Sequence, residues 1–272
     1  MSKFSKSRLK ATSAVAGLSI LQLAAPAHAQ QEAFGIHNDQ PETLEITIAE
    51  DEVVAGEITG IYADNGAVIV NNMGTIRGNG TFLGGPEQRP DGGIVIAQAG
   101  SIVTNSGTIA GQANGITTSY FFSEDEDGED LLPAPLAADT SVTNTGLIRG
   151  AAGTGVALVG GGSVENSGTI VGASGNVGNG ARGTGVSITE FPDSYAEGVT
   201  GIGSVANAEG ALIEGTIFGV QLQGGGTIDN DGTIRSTGFP GIDNQFTAPI
   251  GVAMGALEGQ DGRVATLNNN RS

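Results

Sequence analysis

The chain is expected to fold as an all-β parallel β-helix, a solenoid of roughly 22-residue coils with loop insertions, because two short phrases recur along it. The first is Asn-x-Gly-(Thr/Leu)-Ile. It stands at Asn72 to Ile76, Asn105 to Ile109, Asn144 to Ile148, Asn166 to Ile170 and Asn230 to Ile234, with a stretched copy from Asn207 and another begun at Asn269. The two shortest spacings are 22 and 23 residues, and the others run from 33 to 41. Units of that size cannot bury an apolar face alone and must stack. The second phrase is a glycine followed by aliphatic residues, as in Gly93-Ile94-Val95-Ile96, Gly155-Val156-Ala157-Leu158, Gly185-Val186-Ser187-Ile188, Gly219-Val220-Gln221-Leu222 and Gly251-Val252-Ala253-Met254. In the short repeats it falls about midway between successive asparagines.

Around the asparagine the pattern has period two. Two positions before it stands Val70, Val103, Val142, Val164, Val205, Ile228 or Leu267, and one position before it the residue is polar except at Ala206. Such alternation marks a strand with one face inside. The asparagine shares the inward parity, so its amide needs partners, and stacking on the asparagine of the next coil supplies them. The glycine two places on permits positive φ, so Asn-x-Gly is expected to be a corner. One coil then holds two marked strands, with room for a third. Hairpins fit less well, because asparagine-glycine hairpins need two-residue loops of a different pattern. With no Trp and 4% aromatic residues, Val, Ile and Leu must fill the core, each worth roughly 1.5–3 kcal/mol when fully buried. The 47 glycines oppose ordering, so a single coil is not expected to fold alone.

The first 29 residues read as a signal peptide: Lys3, Lys6, Arg8 and Lys10, a short apolar stretch from Ala14 to Ala25, then Ala27-His28-Ala29 as a small-x-small cleavage site. The apolar stretch is well short of the roughly 20 residues a membrane span needs. Residues 30–43 read as a lead-in and 44–272 as one repeat domain of about eight coils. The chain stops inside a copy of the repeat, as expected of a truncated product. Export removes every lysine and leaves 7 Arg against 29 Asp and Glu, a formal charge of −22. That surface disfavours nucleic acid and anionic membrane as partners. The absence of Cys excludes disulfides, thiol chemistry and Cys-ligated metals.

The longer periods carry insertions, which in solenoids are loops, often on a binding face. After the first phrase they cover 84–90, 175–182 and 238–249, and after the second 119–139, 190–203 and 255–263. Several hold the rare aromatics Tyr120, Phe121, Phe122, Phe191, Tyr195, Phe239 and Phe246. These are expected to cover the edges of the coils rather than to meet a sugar or a partner. The acidic run Glu124 to Asp130 lacks the EF-hand pattern and reads as a solvated loop rather than a Ca²⁺ site. His37, outside the repeats, reads as an exposed terminal residue, and nothing places it in a catalytic triad. Gly178-Asn179-Gly180-Ala181-Arg182-Gly183 matches a dinucleotide fingerprint, but no helix follows to receive a phosphate. No catalytic, cofactor-binding or metal-binding residue is assigned, and no cofactor is expected.

The N-terminal segment followed by Val-x-Asn-Ser-Gly-Thr-Ile, closest at Val103 to Ile109 and Val164 to Ile170, resembles the passenger region of autotransporter proteins of Gram-negative bacteria. The resemblance covers roughly Leu44 to the C-terminus. It implies a right-handed β-helix displayed outside the cell, commonly as an adhesin. It also implies a C-terminal translocation barrel, and no run of barrel strands follows the repeats here. Pectate lyases and polygalacturonases share the fold, but their Trp- and His-containing signatures are missing. The expected function is thus non-enzymatic: an exported passenger, at the cell surface, outer-membrane-associated or secreted, that adheres to a host or environmental surface or polysaccharide. The alternatives are a polysaccharide lyase or hydrolase using loop carboxylates, and a spacer for another domain.

Overall fold

Period-two alternation with an aliphatic inner face produces strands throughout the computed structural model, which describes residues 34–80, 92–118, 123–124, 130–131, 139–173, 183–189, 201–238, 250–255 and 265–270. Among the described residues, each coil but the last has three strands, one more than the two marked by the repeated phrases. They stack into three all-parallel sheets, and the fold is a right-handed parallel β-helix, the hand that twisted parallel strands with crossover connections adopt.

The asparagine sheet is built from Leu44–Ile48, Val68–Asn72, Ile102–Asn105, Thr140–Asn144, Gly162–Asn166, Gly203–Asn207, Gly226–Asn230 and Ala265–Asn269. The glycine sheet contains the second phrase and runs from Phe34–Asn38 through Thr59–Ala63, Gly92–Ile96, Asn114–Thr118, Val156–Val159, Thr184–Thr189 and Phe218–Leu222 to Ile250–Met254. The isoleucine sheet, holding the end of the first phrase, runs from Val53–Gly56 to Thr233–Ser236 in seven strands. Its first strand is thus the third side of the first coil. Among the described residues, the stretch read as a lead-in already holds a strand of the solenoid, since Phe34, Ile36 and Asn38 pair in register with Thr59, Ile61 and Ala63.

Register holds each residue type in its own row. Val70, Val103, Val142, Val164, Val205 and Ile228 stack behind the asparagine sheet. Ile76, Ile109, Ile148, Ile170 and Ile213 stack behind the isoleucine sheet, and all of these are at most 1% exposed. Ile94, Ile116, Val156, Val186 and Val220 complete the third wall. Burial at this level makes each side chain worth roughly 1.5–3 kcal/mol.

The asparagines form a continuous ladder. Nδ2 of Asn72 donates to Oδ1 of Asn105 at 2.7 Å, Asn105 to Asn144 at 2.7 Å, and Asn144 to Asn166 at 2.8 Å. Asn166 donates to Asn207, Asn207 to Asn230 and Asn230 to Asn269, the last at 3.0 Å. Every donor points the same way along the axis. Below Asn72 the register position is Ile48, which has no donor, so Oδ1 of Asn72 is buried without a partner.

The glycine of Asn-x-Gly does mark a corner, but not through positive φ. Gly74, Gly107, Gly146, Gly168 and Gly232 are absent from the left-handed region. They are needed because successive coils touch there: a β-carbon on Gly107 would lie 2.6 Å from the Met73 carbonyl, and one on Gly168 2.6 Å from that of Thr145. Positive φ is found instead in the runs entering the asparagine sheet, at Gly160, Gly161 and Gly162 and at Gly225 and Gly226.

Candidate functional site

The corners of the coils divide the molecule into a smooth side and an interrupted side. From the asparagine sheet to the isoleucine sheet the link is two residues, or four at 49–52 and 208–211. Every insertion leaves at one of the other two corners. Residues 79–91, 173–183 and 237–249 precede strands of the glycine sheet, and 119–139, 190–202 and 255–264 follow them. The glycine sheet is therefore bordered by insertions on both edges. The seven loop aromatics, Asp125 to Glu129 of the acidic run and residues 178–182 of the glycine motif lie outside the described residues. At the ends of the acidic run, Ser123–Glu124 and Asp130–Leu131 pair antiparallel.

His37 is not a loose terminal residue. It lies in the first strand of the glycine sheet, with Nε2 3.0 Å from Oδ2 of Asp64 in the second coil. Its ring packs 5.0 Å from Tyr62, which stacks on Phe34 at 4.6 Å. The outward row continues through Tyr62, Val95 and Thr117, all less than 9% exposed. No group of three or more His, Asp or Glu able to hold a metal ion occurs among the described residues, and no helix there is long and apolar enough to cross a membrane.

The outer face of the isoleucine sheet carries Arg77, Arg149 and Arg235 in one row, with Ala110, Val171 and Glu214 between them. Arg235 pairs with Glu214, Nε to Oε2 at 2.6 Å. Three of the seven arginines beyond residue 29 thus share one face of a strongly acidic chain.

A trench lies on the outer face of the asparagine sheet, at the edge entered from the glycine sheet. It is lined by Asp139, Gly162, Ser163, Ile202, Gly203, Ser204, Gly226 and Thr227. Extending the strand register by one residue aligns Asp139, Gly161, Ile202 and Gly225 in consecutive coils. The two glycines are buried between coils, whereas the side chain of Ile202 stands out with 55% exposure. Beside this row runs a row of hydroxyls, Ser141, Ser163, Ser204, Thr227 and Thr266, in register. Ser163 Oγ lies 3.1 Å from Ser141 Oγ. Asp139 is exposed and has φ 60, the one positive φ at a non-glycine among the described residues. Sequence reasoning assigned nothing here. Its legible signal was the Ser or Thr three positions before each asparagine from Asn144 onward, whereas the placing of Asp139 and Ile202 in one row depends on which coils stack next to one another.

Fold and faces together define a β-helical scaffold with insertions bordering one sheet. No family model, curated protein or solved structure matches the chain.

Proposed function

We propose that this chain is an exported passenger of the autotransporter type, whose β-helix displays loops at the cell surface for adhesion and does not itself carry out catalysis. The observation that supports this reading best is the distribution of insertions: six leave at the two corners bordering the glycine sheet, and none at the third. A rigid scaffold that varies on one side only is how repeat proteins present a binding face. The N-terminal segment, basic then apolar then Ala27-His28-Ala29, supports export. A formal charge of −22 after its removal supports a partner that is neither nucleic acid nor anionic membrane.

The reading is tested in the native host. Mass spectrometry should find Gln30 at the mature N-terminus, and protease added to intact cells should remove the protein. Replacing residues 119–139 with a short link should reduce attachment of the cells to surfaces while leaving the protein exported. Intact cytoplasmic protein beginning at Met1 would end the export reading. Attachment that survives loss of all six insertions would leave a spacer in place of an adhesin.

A further inference from the structure

We propose that the trench on the asparagine sheet binds a neutral glycan chain lying along the solenoid axis. The trench crosses four coils, from Asp139 to Thr227. Three steps at about 4.8 Å each make it about 14 Å long, room for a short oligosaccharide. Its three kinds of surface match the three kinds a sugar presents. Ile202, 55% exposed, offers an aliphatic face to the C–H side of a ring. Ser163, Ser204 and Thr227 stand in register beside it. Each hydroxyl both donates and accepts, as sugar hydroxyls do. Asp139 at one end supplies an acceptor for sugar hydroxyls through a charged oxygen, the stronger kind of hydrogen bond.

Gly161 and Gly225 flank Ile202 in its row without side chains of their own, so Ile202 stands clear of its neighbours. Both glycines have positive φ, at 104° and 82°, so a side chain at either would be strained, and a β-carbon on Gly161 would meet the Ile202 carbonyl oxygen at 2.9 Å. Asp139 has φ 60, a left-handed conformation that Asp adopts more readily than most residues. An acidic glycan is excluded by charge: Asp139 faces the trench, and the whole chain carries a formal −18. An added β-strand is a poor fit, because the trench lies on a sheet face whose strands are already paired on both sides.

The biological sense of this site rests on the display reading above, but its test uses purified protein and fails separately from it. The full chain is titrated by calorimetry and amide NMR with neutral hexasaccharides of the cello, xylo, manno, malto and β-1,3-glucan series, and with an oligogalacturonate as the acidic probe. At least one neutral probe should bind with Kd of about 1 mM or tighter and shift the amides of residues 202–204. Ile202→Ser and Asp139→Asn should each weaken it about tenfold. Both substitutions preserve the fold, since Ile202 is exposed and Asn tolerates positive φ. Asn71→Ala, on the same face but two coils before Asp139, should leave affinity unchanged. Absence of neutral binding, affinity unaltered in both variants, or binding of the oligogalacturonate alone would each overturn the proposal.

Discussion

Asn144 shows what a single residue contributes to this fold. It is fully buried, and its amide accepts from Asn105 and donates to Asn166, Gly146 and Thr169. Asn144→Ala removes the short side-chain bond on each side of it, leaving Asn105 Nδ2 only the longer bonds to the Gly107 and Leu147 carbonyls and Asn166 Oδ1 only the Gly168 N–H, so a loss of about 1–3 kcal/mol is expected. Thr143, one position away, points outward, and Thr143→Ala should stay within about 0.5 kcal/mol. Denaturant melts compare the two, and equal losses would contradict the ladder. The foot of the ladder offers a sharper comparison. Ile48→Asn sacrifices a buried aliphatic group but places a donor beneath the orphaned Oδ1 of Asn72. Ile46→Asn makes the same change in the valine row, where no ladder waits for it. The Ile48 variant should be the more stable by about 1–3 kcal/mol. A less stable Ile48 variant would mean that Asn72 is satisfied in some other way.

At the scale of elements, the glycine sheet owes its closeness to the isoleucine sheet to one glycine per coil. A β-carbon on Gly60 or Gly93 would lie 2.7 Å from Cγ2 of Ile76 or Ile109, and one on Gly155 2.6 Å from Cγ2 of Ile170. The two phrases that recur in the sequence are thus the two sides of one contact. Gly155→Ala should destabilise by about 1–3 kcal/mol, the usual result of overpacking. Gly210 has a different role: its φ is 80° and open space surrounds it, in the lengthened corner after Asn207. Gly210→Asn should change stability by no more than about 0.5 kcal/mol. Thermal melts that rank these two in the opposite order would show that the glycine row is not set by packing. The third strand of each coil was harder to read in advance. Its four residues, as in Thr108–Gly111, begin two residues after the asparagine strand ends, so phrase and corner merge in the sequence.

For the whole molecule, stacking makes stability a sum over neighbouring coils rather than a property of one core. Asn144 and Asn166 are 22 residues apart and occupy the same place in successive coils. Deleting residues 145–166 therefore removes one coil and rejoins every row in register: Ile170 then stacks on Ile109, and Asn207 on Asn144. Deleting 145–155 removes half a coil and brings mismatched rows together. The first variant should keep the β-sheet circular dichroism and a cooperative melt, with the second failing to fold. Folding of both would mean that the rows do not specify the stack.

What the amino-acid sequence determined by itself is the part that repeats: the strand parity, the inward asparagine, the corners and the number of coils. Periodicity reports these because every coil meets the same neighbours above and below, so each position repeats its solution. Tertiary structure decided what does not repeat. It showed that corner glycines answer to the carbonyls of the coil beneath rather than to φ, and that His37 belongs to the first coil and pairs with Asp64 in the next. It also brought Asp139 and Ile202 to either side of Gly161, although they lie 63 residues apart in sequence. Insertions of 11 and 13 residues, at 173–183 and 190–202, set that separation. Their lengths do not affect the register, so the distance along the chain carries no trace of the distance in space.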